Sequence, residues 1–127
     1  MEFLNVIAAG AAAWIFGAIW YGVTAKPWMA AAGVTEEQAR SVNPVVYGVS
    51  FLMTILVAGM MRHIFVTSNV ADMTNAAISG FGLGAFIAVP WLATNYMFAG
   101  RPRILTVIDG TYAIVGCTLI GIVLQLF

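Results

Sequence analysis

The sequence predicts an all-α membrane protein, a transmembrane four-helix bundle with a short interfacial helix in its first loop. Three observations predict it. Of 127 residues, 62% are hydrophobic and only 8% are charged, where soluble domains average about 45–50% apolar and about 25% charged. Mean hydropathy is +0.98. The apolar residues also gather into four stretches, about 3–24, 44–67, 73–99 and 103–127. Each is long enough to cross a hydrocarbon core of about 30 Å. The length suits one domain, residues 1–127.

The first stretch carries Ala9, Ala13 and Gly17 at four-residue spacing, a small-residue stripe that lets another helix approach closely. Trp20 and Tyr21 close it with aromatics suited to the headgroup level. No basic segment precedes it and its apolar run continues through Trp14-Ile15-Phe16. Both features favour a retained span over a cleaved signal.

The first loop, residues 25–43, is the longest polar part. Pro27 suits the first turn of a short helix, Trp28 suits an interfacial anchor, and Gly33 ends the segment. Thr35-Glu36-Glu37-Gln38 has the pattern of a capping box. It predicts a surface helix from Glu36 to about Val42. Asn43-Pro44 turns the chain into the second span. At the far end of that span, Arg62 and His63 can reach water. His63 is the only histidine and has no second ligand at metal spacing, so no metal or cofactor is expected.

The third stretch holds Gly80-Phe81-Gly82-Leu83-Gly84, a GxxxG spacing for close helix packing. Pro90 lies mid-span and should distort the helix there. Trp91, Asn95 and Phe98 share a face beyond it on ideal helical spacing. Gly100 then turns the chain, and Arg101-Pro102-Arg103 opens the last stretch.

Asp109, inside that last stretch, is the residue most in need of an explanation. An ionised Asp at bilayer depth costs roughly 2.5–3.5 kcal/mol, so such groups face a bundle interior or reach water. Asp109 lies six residues past Arg103, on the order of 9 Å along a helix. Thr106 and Tyr112 share its face at i−3 and i+3. Asn95 comes to a similar depth on the third span, which makes it the expected partner across helices, with Arg101 and Arg103 as alternatives. Trp20, Tyr21, Trp91 and Tyr112 offer rings for an aromatic pocket. Cys117 reads as a small packing residue.

Loops 25–43 and 100–103 carry Lys26, Arg40, Arg101 and Arg103, against Arg62 and His63 on the opposite side. Positive charge concentrates in cytoplasmic loops. The expectation is therefore that both loops are cytoplasmic and both termini lie outside.

Two motifs add a resemblance. Gly17-Ala18-Ile19-Trp20-Tyr21-Gly22 with Lys26-Pro27-Trp28-Met29, and the stretch from Arg103 through Asp109 to Tyr112, resemble a bacterial four-span membrane family known only as a domain of unknown function. The resemblance implies a four-helix domain of a bacterial inner membrane, matched at Trp20, Tyr21, Lys26, Trp28, Asp109 and Tyr112. It implies no activity.

Formal net charge is zero, which leaves a nucleic-acid role without an electrostatic basis. There is no nucleophile–base set, paired catalytic carboxylates or glycine-rich phosphate loop beside a strand, so no enzyme is expected. Two readings remain open. One is a structural or interaction bundle, a homo-oligomer or accessory subunit, partnered by the bilayer and other membrane helices. The other is a small-molecule or ion transporter or channel using Asp109. Four spans match the size of small multidrug-resistance exporters, but those carry a membrane-embedded Glu in their first helix, and here the first helix has no acid beyond Glu2.

Overall fold

A computed structural model describes residues 2–127. The chain is helical: α1 (Glu2–Val23), α2 (Ala25–Ala32), α3 (Glu36–Arg40), α4 (Pro44–Thr67), α5 (Met73–Leu83), a π-helical turn (Gly84–Ala88), α6 (Val89–Phe98) and α7 (Arg103–Leu124). Four helical stretches, Phe3–Val23, Pro44–Thr67, Met73–Phe98 and Arg103–Leu124, are long and apolar enough to cross a membrane.

The turns follow from local chemistry. Thr35 accepts a hydrogen bond from the Gln38 N–H while the Gln38 side chain accepts from the Thr35 N–H, closing the capping box. The helix it starts is shorter than its sequence suggests. It stops at Arg40 because Ser41, with φ −98° and ψ 18°, ends it. Asn43 caps α4 by accepting from the Val45 N–H. Asp72 caps α5, one carboxylate oxygen accepting from the Asn75 N–H and the other from Asn75 Nδ2. These bonds hold its carboxyl below its ordinary range. Gly100, at φ 68°, permits the left-handed turn that ends α6. The Arg101 N–H then bonds Tyr96 O, and the Gly100 N–H bonds Met97 O.

α7 is the centre of the bundle. It packs against α1, α4 and both halves of the third span, whereas α5 and α6 pack chiefly on α7. Its buried residues, among them Leu105, Gly110, Gly116, Ile120 and Gly121, occur along its whole length. The α5–α7 contact is backbone on backbone. A Cβ built on Gly80 would lie 2.4 Å from Cys117 O, one on Gly84 2.7 Å from Ile114 Cα, and one on Gly121 2.5 Å from Ala76 O. Nothing would meet a Cβ on Gly82. The GxxxG spacing therefore reports a real contact, and only its outer two glycines serve it. On α1, Ala9 and Ala13 are buried, and Gly10 approaches Ile55 of α4.

The apolar core occupies one end of the bundle. Val6, Ala9, Ala13, Ala58, Met61, Phe65, Ala76, Ile120 and Leu124 form it. They come from the first half of α1, the start of α5 and the end of α4 and α7. At the opposite end, beneath α2 and α3, Leu105 and Ile108 are buried on α7, and beside them the bundle is open.

Pro90 is accommodated by the π-helical turn just before it. Proline has no N–H to donate and its ring collides with the carbonyl four residues back. Widening the preceding turn by one residue relieves both, and π-turns of this kind are inserted singly into α-helices. The Val89 N–H bonds Gly84 O, five residues back.

Candidate functional site

The open end of the bundle contains a cleft of about 1510 Å³. Its floor is the seam between α1 and α7, lined by Tyr21, Asp109 and Tyr112. Val46, Tyr47 and Ser50 of α4 form one wall, and Leu92 and Tyr96 of α6 form another. Trp28, Met29, Val34 and Gln38 of the α2–α3 segment cover it on the loop side.

Asp109 is the polar centre of this cleft. The Tyr21 hydroxyl donates to Oδ1 across 2.5 Å, and the Tyr96 hydroxyl donates to Oδ2. One carboxylate thereby joins α1, α6 and α7. Neither donor carries a charge. Glu36 and Arg40 form an ion pair on the exposed face of α3, away from Asp109. Arg101 and Arg103 are exposed and do not reach Asp109. A carboxylate has about four acceptor positions, and the two tyrosines occupy two of them.

The aromatic side chains are held by packing. A Cβ on Gly17 would sit 2.8 Å from Tyr112 Cε1, so the missing side chain lets that ring lie on α1. Tyr112 meets Tyr21 edge to face at 5.4 Å between centroids and stacks on Phe16 at 6.2 Å. Tyr21 meets Trp28 of α2 edge to face at 6.2 Å. Deeper along α1, Trp14 Nε1 donates to Ser50 Oγ at 3.0 Å, and Ser50 donates to Tyr47 O at 2.8 Å. This relay pins α4 to α1 where the cleft begins.

Several expected residues lie elsewhere. Asn95 is exposed and makes no hydrogen bond with Asp109; its neighbour Tyr96 does. The π-turn is the reason. Gly80 and Gly84 face α7, and on an uninterrupted helix residues 91 and 95 would continue that face, at about 100° per residue. One inserted residue shifts the register by one. Leu92 and Tyr96 then take the inward positions, while Trp91 becomes 69% exposed and Phe98 91% exposed. Trp20 does not line the cleft, because its indole Nε1 donates to Ile108 O at 2.9 Å. Thr106 is half-buried and makes no hydrogen bond with Asp109. Lys26 is exposed on α2 beside the cleft residue Trp28; Arg62 is half-buried and His63 exposed at the other end of the bundle. Tyr96, Trp14 and Tyr47 are the site residues that ideal helical spacing did not find. Pro90 behind a glycine-rich turn was the one available signal for Tyr96.

The geometry defines a helical membrane-type protein with a carboxylate-floored aromatic cleft at one end of its bundle. A family model described as protein of unknown function, DUF1761, matches residues 4–125, and the chain belongs to that family. No curated protein and no solved structure matches the chain.

Proposed function

We propose that this chain is a small integral membrane protein that binds a small organic cation in the cleft, as the substrate site of a transporter. The observation that carries the reading is the state of Asp109. Its carboxylate lines a cleft of about 1510 Å³ and is held by two neutral hydroxyls, with no cation in ion-pair distance among the described residues. Hydrogen bonds from neutral hydroxyls orient this half-buried carboxylate and leave its net charge unpaired. A cation in the cleft supplies that charge, and the faces of Tyr112 and Trp28 supply further attraction. The reading contains no catalytic step and no resident cofactor.

The site lies on the side of loops 25–43 and 100–103; the positive charge of Lys26, Arg40, Arg101 and Arg103 supports a cytoplasmic side there, in our reading that of a bacterial inner membrane. The cleft is then loaded or emptied from the cytoplasmic half.

The test is equilibrium binding of tetraphenylphosphonium to the full chain in nanodiscs. Asp109→Asn keeps the size of the side chain and removes its charge. It is expected to weaken binding at least about tenfold, the factor that corresponds to about 1.4 kcal/mol. Equal binding by both proteins overturns the reading.

A second reading is favoured by the same carboxylate's position between three spans. On it, Asp109 knits α1, α6 and α7 together in a structural bundle that serves as a homo-oligomer or an accessory subunit among other membrane helices. Loss of folding in Asp109→Asn, with no cation bound by the wild type, would select this reading.

A further inference from the structure

The cleft's boundaries bear on how a ligand arrives. Towards the loops it is covered: α2 packs on α7, and Trp28, Met29, Val34 and Gln38 line the cleft from that side. Towards the bilayer it is not. α4 and α6 both line the cleft, yet α4 packs on α1 and α7 whereas α6 packs on α7. The first two turns of α4, residues 44–49, are exposed throughout, with Val45 at 65% and Val46 at 54%. Val46 on one side of this gap and Ala88 and Leu92 on the other are apolar, and Tyr47, Ser50 and Tyr96 complete the two walls.

Resting on the proposed cation site, we infer that the ligand is an amphiphile, a cationic nitrogen head on a hydrocarbon tail, and that it reaches Asp109 sideways from the lipid between α4 and α6. The chemistry fits each end of such a molecule. Asp109 lies on the order of 9 Å along α7 from Arg103, a depth that the head of a membrane-bound amphiphile reaches while its tail remains in hydrocarbon. The tail stays in mainly apolar surroundings, because Val46, Ala88 and Leu92 and the surrounding lipid are similar solvents for it. A small hydrophilic cation has no such route. From the lipid side it would have to cross hydrocarbon unaccompanied, and on the loop side it meets the α2–α3 cover.

The test uses the full chain in phosphatidylglycerol nanodiscs and a dodecyltrimethylammonium probe with a diazirine at the end of its tail, below its micelle concentration. On illumination, the expected labels fall on α4 around Val46 and Ser50 and on α6 around Ala88 and Leu92, and fall at least tenfold in Asp109→Asn. A dodecyl sulfate probe with the same diazirine is expected to leave these positions unlabelled. That comparison is made on the wild type, so it stands even where the variant folds poorly. Equal labelling by the two probes, or labels confined to α2 and α3, overturns the route through the gap. If tetraphenylphosphonium binds in an Asp109-dependent way while the amphiphile leaves the gap unlabelled, the amphiphile inference falls and the cation site stands. If neither cation binds, both fall.

Discussion

The Tyr21 hydroxyl donates to Oδ1 of Asp109 across 2.5 Å, joining the end of the first span to the beginning of the last. Hydrogen bonds to a charged group contribute about 1.5–3 kcal/mol each. Tyr21→Phe should therefore lower the thermal stability of the detergent-solubilised protein by about that amount. Tyr96→Phe should act in the same direction. In Asp109→Leu, adding Tyr21→Phe should cost much less than it does in the wild type. A double-mutant cycle on midpoints of thermal unfolding checks this; strict additivity would show that the two residues do not act through each other.

Pro90→Ala removes the reason for the π-turn. With the turn relaxed to α-helix, α6 turns by about 100° relative to α5 and carries Tyr96 away from Asp109. The expected outcome is a loss of stability close to that of Tyr96→Phe, with little further loss when the two are combined. Independent, additive losses would place the effect of Pro90 elsewhere.

The glycines of α5 make a self-controlled experiment. Gly80→Ala and Gly84→Ala place a methyl group against backbone atoms of α7, at 2.4 Å and 2.7 Å. The helices must separate, with a cost of about 1–3 kcal/mol typical of overpacking. Gly82→Ala meets nothing within 4 Å and should be neutral or stabilising by up to about 1 kcal/mol, since alanine is the better helix former. Unfolding in graded denaturing detergent ranks the three. A Gly82 variant as damaged as the other two would contradict the packing described.

Asp72 predicts a pH dependence. Its bonds from Asn75 depress its carboxyl in the folded state, so the unfolded chain takes up a proton first as pH falls. The cap's contribution is present in full above the ordinary Asp range, near about 3.9. It is lost as pH drops through the lower folded value. The stability gap between wild type and Asp72→Ala should thus be constant near neutrality and close only in acid below about pH 4. Thermal midpoints measured across that range check it, and a gap that widens in acid would refute it.

Sequence carried much of this architecture because the membrane leaves little choice: a span is an unbroken apolar run, and the four runs stand out. Gly80 and Gly84 were visible as a contact from spacing alone, and Asp109 as an inward residue from the cost of its charge. Trp20 and Tyr21 were visible as a pair, but their partners were not. The indole of Trp20 satisfies a backbone carbonyl, which leaves no mark on side-chain patterns, and only Tyr21 reaches the carboxylate. Asn95 was misplaced for a definite reason. Periodicity assumes constant pitch, and one extra residue before Pro90 exchanges it for Tyr96. The cleft itself was illegible, since it depends on α4 standing apart from α6, and an apolar helix gives no sign of which neighbours it will leave.

Because α7 is the element that the other spans rest upon, the order of synthesis has a cost. A ribosome delivers three spans to the translocon before it delivers the one they need. Gly80 and Gly84 meet lipid until Ile114 and Cys117 emerge, and Tyr21 waits for Asp109 across nearly ninety residues of chain. Assembly of this bundle is therefore a late event, completed after insertion rather than during it. A nascent chain interrupted before its final segment would leave the third span without its chief packing partner, a natural target for membrane quality control.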